Sequence, residues 1–191
     1  ASASYGRKVE ILKDNIFGVD LDPKAVEIAQ LNLLLKTAEK KHRLPTLQEN
    51  IKVGNSLIDD SSVAGDKAFK WEDEFKSVMD KGGFDVVIGN PPWLMAGYHT
   101  TSKEIDYLHE KYESAKGKFD LYYCFIEKAL KLISKKGIFG MIVPNKFFHT
   151  KSAKGLREVL IKSGKLYKIV DFGDEKVFGD ATNYSSILLL K

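Results

Sequence analysis

Phe84-Asp85-Val86-Val87-Ile88-Gly89-Asn90-Pro91-Pro92-Trp93 is the stretch that decides the fold. Its first six residues read as a short buried strand. The two prolines after Asn90 cannot continue a strand in a sheet interior, so the chain must leave the sheet after Gly89. The strand therefore runs straight into a four-residue loop at its carboxyl end. In open α/β sheets that edge is where ligands bind.

The same alternation extends in both directions. Upstream, Asn15 to Asp20 reads as a strand. A helix comes next, with Asp22 as N-cap and Pro23 at the first helical position. Ile28, Leu31, Leu35 and Ala38 share one face of it. Ile51 to Gly54 is a further strand, and Asp66 to Asp80 reads as helical. Downstream, Gly97 to Lys118 is a long polar connection, a length often associated with function. Tyr122, Phe125, Ile126, Ala129, Leu130 and Ile133 then mark one face of a helix that Gly137 ends. Ile138 to Val143 is a strand closed by Pro144, and a basic helix spans Ser152 to Ser163. Two final strands lie near Leu166 to Phe172 and Tyr184 to Leu190. Strands separated by helices predict a doubly wound, mostly parallel sheet, Rossmann-like, with an antiparallel last hairpin.

Composition sets the bounds. The 191 residues suit one domain, and 43% of them are hydrophobic, enough for a packed core. Thirty Lys and Arg against 26 Asp and Glu leave a net charge of +4, which permits a nucleic-acid partner without demanding one. The lone Cys124 cannot form an internal disulfide, and its simplest role is as a small buried residue. The four histidines show no metal-ligand spacing, so no metal is expected. No apolar run approaches the roughly 18 residues of a membrane span, and the expected location is cytoplasmic.

The loop residues suit one task. An exocyclic amino group on a base is a poor nucleophile, because its lone pair is delocalised into the ring. Two acceptors set against its N–H bonds would draw the nitrogen toward a tetrahedral shape. The Asn90 side-chain oxygen and the Pro91 carbonyl can be those acceptors, held by the fixed φ angles of Pro91 and Pro92. Trp93 offers a face for stacking the base. Asp20, at a strand end, can face a cofactor crevice. Asp22 needs no role beyond helix cap, and Asp120 reads as a cap for the helix after it. Lys146, Lys151, Lys154 and Arg157 form either a phosphate-binding group or a solvated face.

An Asn-Pro-Pro-aromatic loop after an apolar strand resembles the catalytic motif of amino-methyltransferases. Phe17 to Ala29 resembles their second cofactor motif. Lys118 to Tyr123, Met141 to Phe147 and Val177 to Tyr184 resemble later ones. Together they resemble the adenine methyltransferase region of bacterial restriction–modification proteins, the fused type IIG kind above all, over nearly the whole chain. The resemblance implies a class I methyltransferase-like fold. It implies transfer of a methyl group from S-adenosylmethionine to N6 of an adenine flipped out of double-stranded DNA. Asn90, Pro91, Pro92 and Trp93 would then be catalytic. Asp20 would bind the cofactor ribose. Asn55, where relatives usually carry Asp, would accept from its adenine amino group. Leu21 and Leu57 would either sandwich that adenine or belong to the core. Phe178 would supply a second aromatic against the flipped base, with Tyr184 as a competitor and a core phenylalanine as the plain reading.

One motif is missing. The glycine-rich turn that holds the methionine end of the cofactor should precede the Asp20 strand, and residues 1–15 hold only Gly6. The chain is therefore expected to be a methyltransferase domain fragment without that motif and without a target-recognition domain. Its partners would be DNA and the missing N-terminal segment. The exposed sheet edge would allow a homo-oligomer. Two other readings stay open: a methyltransferase of protein glutamine or RNA bases, and a non-catalytic DNA-binding fragment.

Overall fold

The computed structural model describes residues 5–38, 45–175, 177 and 184–191. The chain divides into two compact units, Ala1–Phe69 and Lys70–Lys191. The first contains α1 (Tyr5–Asn15), β1 (Gly18–Asp20), α2 (Pro23–Thr37), β2 (Ile51–Val53) and α3 (Ser61–Ala64), then a 3-10 turn over Gly65–Lys67. β1 and β2 pair in parallel, with Gly18 opposite Ile51 and Asp20 opposite Val53. Asp22 caps α2 as expected, its carboxylate accepting from the Lys24 N–H at 2.9 Å, with Pro23 in the first turn. At the end of α1, the buried Asn50 side chain donates to the carbonyls of Lys13 at 2.7 Å and Ile16 at 3.0 Å. Those groups have no partner within the helix. The expected apolar stripe on α2 exists, but it is not covered. Ile28, Leu31 and Leu35 are 60%, 53% and 58% exposed, while Val26 and Thr37 are the buried residues of this helix.

The second unit contains α4 (Trp71–Glu74), α5 (Lys76–Met79), β3 (Phe84–Gly89), α6 (Ser102–Lys111), α7 (Leu121–Leu132), β4 (Ile133–Pro144), α8 (Lys154–Ser163), β5 (Leu166–Asp171) and β6 (Ser185–Leu190). Three expectations fail here for identifiable reasons. The helix read over 66–80 is broken at Phe75, which leaves helical geometry at φ −123°, ψ 44°. Its buried ring packs 5.5 Å from that of Trp71 and 6.0 Å from that of Phe84. The polar connection 97–118 contains α6, started by a capping box in which Thr101 and Glu104 each satisfy the other's backbone N–H. Gly137 does not end α7. The helix passes into β4 at Ile133, and Gly137 lies within that strand, where a Cβ would stand 2.7 Å from the Phe84 carbonyl oxygen.

The sheet of this unit has the order β3-β4-β6-β5. β3 and β4 are parallel, whereas β6 lies antiparallel to both β4 and β5. The fold is α/β with a mixed sheet: β3, β4 and β5 run the same way, and β6 inserts between β4 and β5 in the opposite direction. The antiparallel last hairpin, β5 with β6, is present. One sheet face is buried through Phe139, Met141 and Val143 of β4 and Leu188 and Leu190 of β6, set opposite one another in register. The other face bears Val86 and Ile88 of β3, 60% and 80% exposed. Among the described residues β3 is an edge strand.

α7 buries Tyr122, Tyr123, Cys124 and Ile126 completely. The Cys124 thiol is pushed up to about 12, chiefly by burial and secondarily by the Glu127 carboxylate. α8 packs so close to the turn before α7 that a Cβ on Gly155 would lie 2.9 Å and 3.1 Å from the carbonyl oxygens of Glu113 and Ser114.

This packing has two measurable outcomes. Gly155→Ala should lower stability by about 1–3 kcal/mol in denaturant unfolding, because backbone atoms cannot move aside. Helix propensity alone would predict a gain of up to about 1 kcal/mol, so a raised midpoint would refute the close packing. Cys124 should react with a thiol reagent at pH 8 about a thousandfold more slowly than in the unfolded chain, since only the thiolate attacks. Comparable rates in the two states would show that the thiol is open.

Candidate active site

Gly89, the last residue of β3, pairs with Met141, and the loop leaves the sheet from there. Asn90 and Pro92 are exposed, Pro91 is buried, and Trp93 is half-buried. The far end of the loop is fixed as firmly as the near one. The Leu121 N–H donates to the Leu94 carbonyl at 2.8 Å, and the Ala96 N–H donates to the Phe119 carbonyl at 2.9 Å. Met95 and Asp120 form an antiparallel bridge between these bonds. Asn90 to Trp93 thus span a strand end and a short two-stranded pin.

Asp120 departs from its expected role. It occupies the N-cap position of α7, yet its carboxylate caps nothing. Instead it accepts from Lys146 Nζ at 2.8 Å, with the Asp120 side chain 7% exposed and that of Lys146 41%. Only the carboxylate is enclosed, so loss of Lys146 would strand a buried charge, whereas loss of Asp120 would leave the lysine partly in water. Beside this pair, Asn145 Nδ2 donates to Asp171 Oδ1 at 3.0 Å, and the same oxygen accepts from the Gly173 N–H at 3.1 Å. β4 and β5 both end here, Pro144 opposite Ser185 and Asp171 opposite Ser186.

The basic group read from the sequence mostly serves structure. Lys146 is paired with Asp120. Arg157 donates to the Phe147 and Thr150 carbonyls at 2.7 Å and 2.8 Å. Lys154 lies 3.8 Å from Glu158.

The cofactor candidates belong to the first unit. Asp20 is exposed at the end of β1, and its Oδ1 accepts from the Asp22 N–H at 2.8 Å. Asn55 is half-buried after β2, with its side-chain oxygen accepting from the Leu57 N–H at 3.1 Å. Leu21 is 55% exposed and Leu57 is 5% exposed, so the two leucines differ in what they can offer a ligand. Phe178 lies outside the described residues. Tyr184, its competitor, is 45% exposed, and its carbonyl accepts from the Asn145 N–H at 2.9 Å. Among the described residues no group of His, Cys, Asp and Glu could hold a metal ion.

Sequence reasoning missed the pairing of Asp120 with Lys146 and of Asn145 with Asp171. It also missed the buried Glu127, whose carboxylate accepts from the Ser114 N–H and from Lys131 Nζ, both at 2.8 Å. Only the last left a local signal, the Glu127–Lys131 spacing on one helix.

Comparison with known proteins agrees with this architecture. A model of the Eco57I restriction-modification methylase family matches residues 14–178. The type II restriction enzyme and methyltransferase RM.Eco57I of Escherichia coli is 36% identical over 96% of this chain and 19% of its own length. The adenine-specific methyltransferase PglX of Streptomyces coelicolor is 28% identical over 83% of this chain and 16% of its own. The chain thus spans less than a fifth of either relative. Among solved structures, a nuclease-deletion mutant of the Type ISP restriction-modification enzyme LlaGI in complex with a DNA substrate mimic superposes with a TM-score of 0.69. It is 17% identical and covers 100% of this chain and 18% of that one. The DrdV–DNA complex gives a TM-score of 0.64 at 19% identity, covering 90% of this chain and 19% of that one. These likenesses show a fold shared with restriction–modification enzymes. With the family match covering most of its length, the chain belongs to the Eco57I restriction-modification methylase family.

Proposed function

We propose that the natural protein carrying this chain is a DNA adenine-N6 methyltransferase of a restriction–modification system. The observation that carries this reading is the Asn90-Pro91-Pro92-Trp93 loop at the carboxyl end of β3, with Asn90 open to solvent and both ends of the loop fixed. Family membership and the adenine-specific relative support it. The partner would be double-stranded DNA, in keeping with the DNA complexes among the solved neighbours. Action on cellular DNA would place the protein in the cytoplasm; separately, no helix among the described residues is long and apolar enough to cross a membrane.

Asn90 and the Pro91 carbonyl would accept from the target amino group and hold its nitrogen near tetrahedral geometry. Trp93 would stack on the base once it is out of the duplex, and Phe178 would meet its other face. The methyl donor would be S-adenosylmethionine, which supplies an electrophilic methyl group. The residues present fit its adenosine end. The Asp20 carboxylate is exposed and has one oxygen not engaged by the Asp22 N–H, suiting ribose hydroxyls. The Asn55 oxygen has a second lone pair for an amino donor. Leu21 would be the open apolar flank, with the largely enclosed Leu57 the lesser of the two.

The sheet fits the same reading. The parallel pairs β1–β2 and β3–β4 are the units from which a doubly wound Rossmann-like sheet is built. The free edge of β3 and the exposed Val86 and Ile88 support pairing with, and covering by, a further segment that carries the glycine-rich motif. A second copy of the chain is the other occupant that edge allows. On this reading residues 1–191 are part of a methyltransferase domain.

Three measurements test the reading. In the natural protein, Asn90→Ala should abolish methylation in single-turnover kinetics while leaving DNA binding largely intact. A rate within about tenfold of wild type, ~1.4 kcal/mol in the barrier, would remove Asn90 from the chemistry. Trp93→Ala should weaken the 2-aminopurine fluorescence signal of base flipping more than overall DNA affinity, since base stacking is worth about 1–3 kcal/mol. An unchanged signal would make Trp93 a core residue. The 191-residue chain alone should bind S-adenosylmethionine only at millimolar concentration in calorimetric titration, because residues 1–15 contain one glycine and no glycine-rich turn to hold the methionine end. A dissociation constant near 1 μM, about −8.2 kcal/mol, would mean the site is already complete.

A further inference from the structure

Residues 119–121 do two jobs at once. Their backbone, through the Phe119 carbonyl and the Leu121 N–H, holds Ala96 and Leu94, just beyond Trp93 in the chain. Their one charged side chain, Asp120, reaches Lys146, two residues past the end of β4. An aspartate at an N-cap position ordinarily spends its oxygens on the first amide groups of its own helix. Asp120 makes no such bond, and its enclosed carboxylate goes to a different segment. The Lys146 end is itself anchored. Phe147 is buried, its carbonyl accepts from Arg157, and Asn145 is tied to Asp171.

We propose that Asp120 and Lys146 are a positioning pair, which couples the pin behind Trp93 to the rigid ends of β4 and β5 and so fixes the orientation of the Asn90–Trp93 loop. The inference rests on the reading of that loop as the reacting one. Neither side chain touches a reacting atom. Their effect runs through the two backbone bonds at Leu94 and Ala96, one and three residues beyond Trp93. A pair that merely stabilised the fold would have no reason to favour these amides over those of the central sheet.

The test uses the natural protein with three variants. Asp120→Asn combined with Lys146→Met removes both charges and so strands neither in the interior. Lys146→Arg keeps the charge, and Asn90→Ala marks the chemistry. In the double variant, hydrogen exchange at the Ala96 and Leu121 amides should rise at least about tenfold, while the Leu188 and Leu189 amides of β6 change less than about twofold. The single-turnover methylation rate at saturating DNA and cofactor should fall at least about tenfold in the double variant, whereas Lys146→Arg should stay near wild type in both readouts. Exchange that is unchanged at Ala96 and Leu121, or that rises equally in β6, overturns the proposal. So does methylation within about threefold of wild type in the double variant when Asn90→Ala is inactive. Retained activity in Asn90→Ala instead removes the reading of the loop, and the positioning role goes with it.

Discussion

The second unit depends on β4. It is hydrogen-bonded on both sides, in parallel to β3 and antiparallel to β6, and it receives α7 without an intervening loop. Its buried face sets Phe139 and Met141 opposite Leu190 and Leu188, beneath a helix whose tyrosines, cysteine and isoleucine are fully enclosed. Each buried leucine, isoleucine, methionine or phenylalanine among them contributes roughly 1.5–3 kcal/mol by leaving water. That apolar floor allows a group of polar residues to be held at one edge. Asn90, Asn145, Lys146 and Asp171 sit at or just beyond the carboxyl ends of β3, β4 and β5, and Asp120, at the start of α7, joins them through Lys146.

The edge is ordered by a mixture of interactions of unequal strength. Backbone bonds at Leu94 and Ala96 set the path of the chain. The enclosed carboxylate of Asp120 then needs a cation, and Lys146 supplies one at 2.8 Å. Surface pairs such as Lys162 with Glu113 are different. The Glu113 carboxyl is held below its usual range, first by its hydrogen bond to Lys162 and then by the charge of that lysine. Yet both side chains are largely in water, where such pairs contribute little.

Most of the fold was legible in the sequence because periodicity and caps are local. The β3 strand was bounded correctly by its prolines, and Asp22-Pro23 marked the start of α2. The misleading cases were local signals overridden at a distance. Gly137 looks like a helix stop, but its lack of a Cβ serves the approach of β3. Phe75 continues a helical pattern, but its ring is captured by Trp71 and Phe84. The stripe of Ile28, Leu31 and Leu35 has the right period for a core face, and period alone does not say what covers it. At the site, Asn90 to Trp93 and Asp20 stood out by residue type and position. Asp120 was visible only as a cap, since nothing near it in sequence names Lys146 as its partner.

The direct passage of α7 into β4 bears on how such a chain can change length over evolution. Leu132 is the last helical residue and Ile133 the first of the strand. One residue inserted there would turn α7 by about 100° relative to β4, or invert the faces of β4 so that Phe139, Met141 and Val143 left the core. No loop exists to absorb the shift. Insertions and deletions should therefore be excluded from this junction and collect elsewhere, as before α6, where the exposed turn at Gly97 to Thr100 can lengthen without moving a strand.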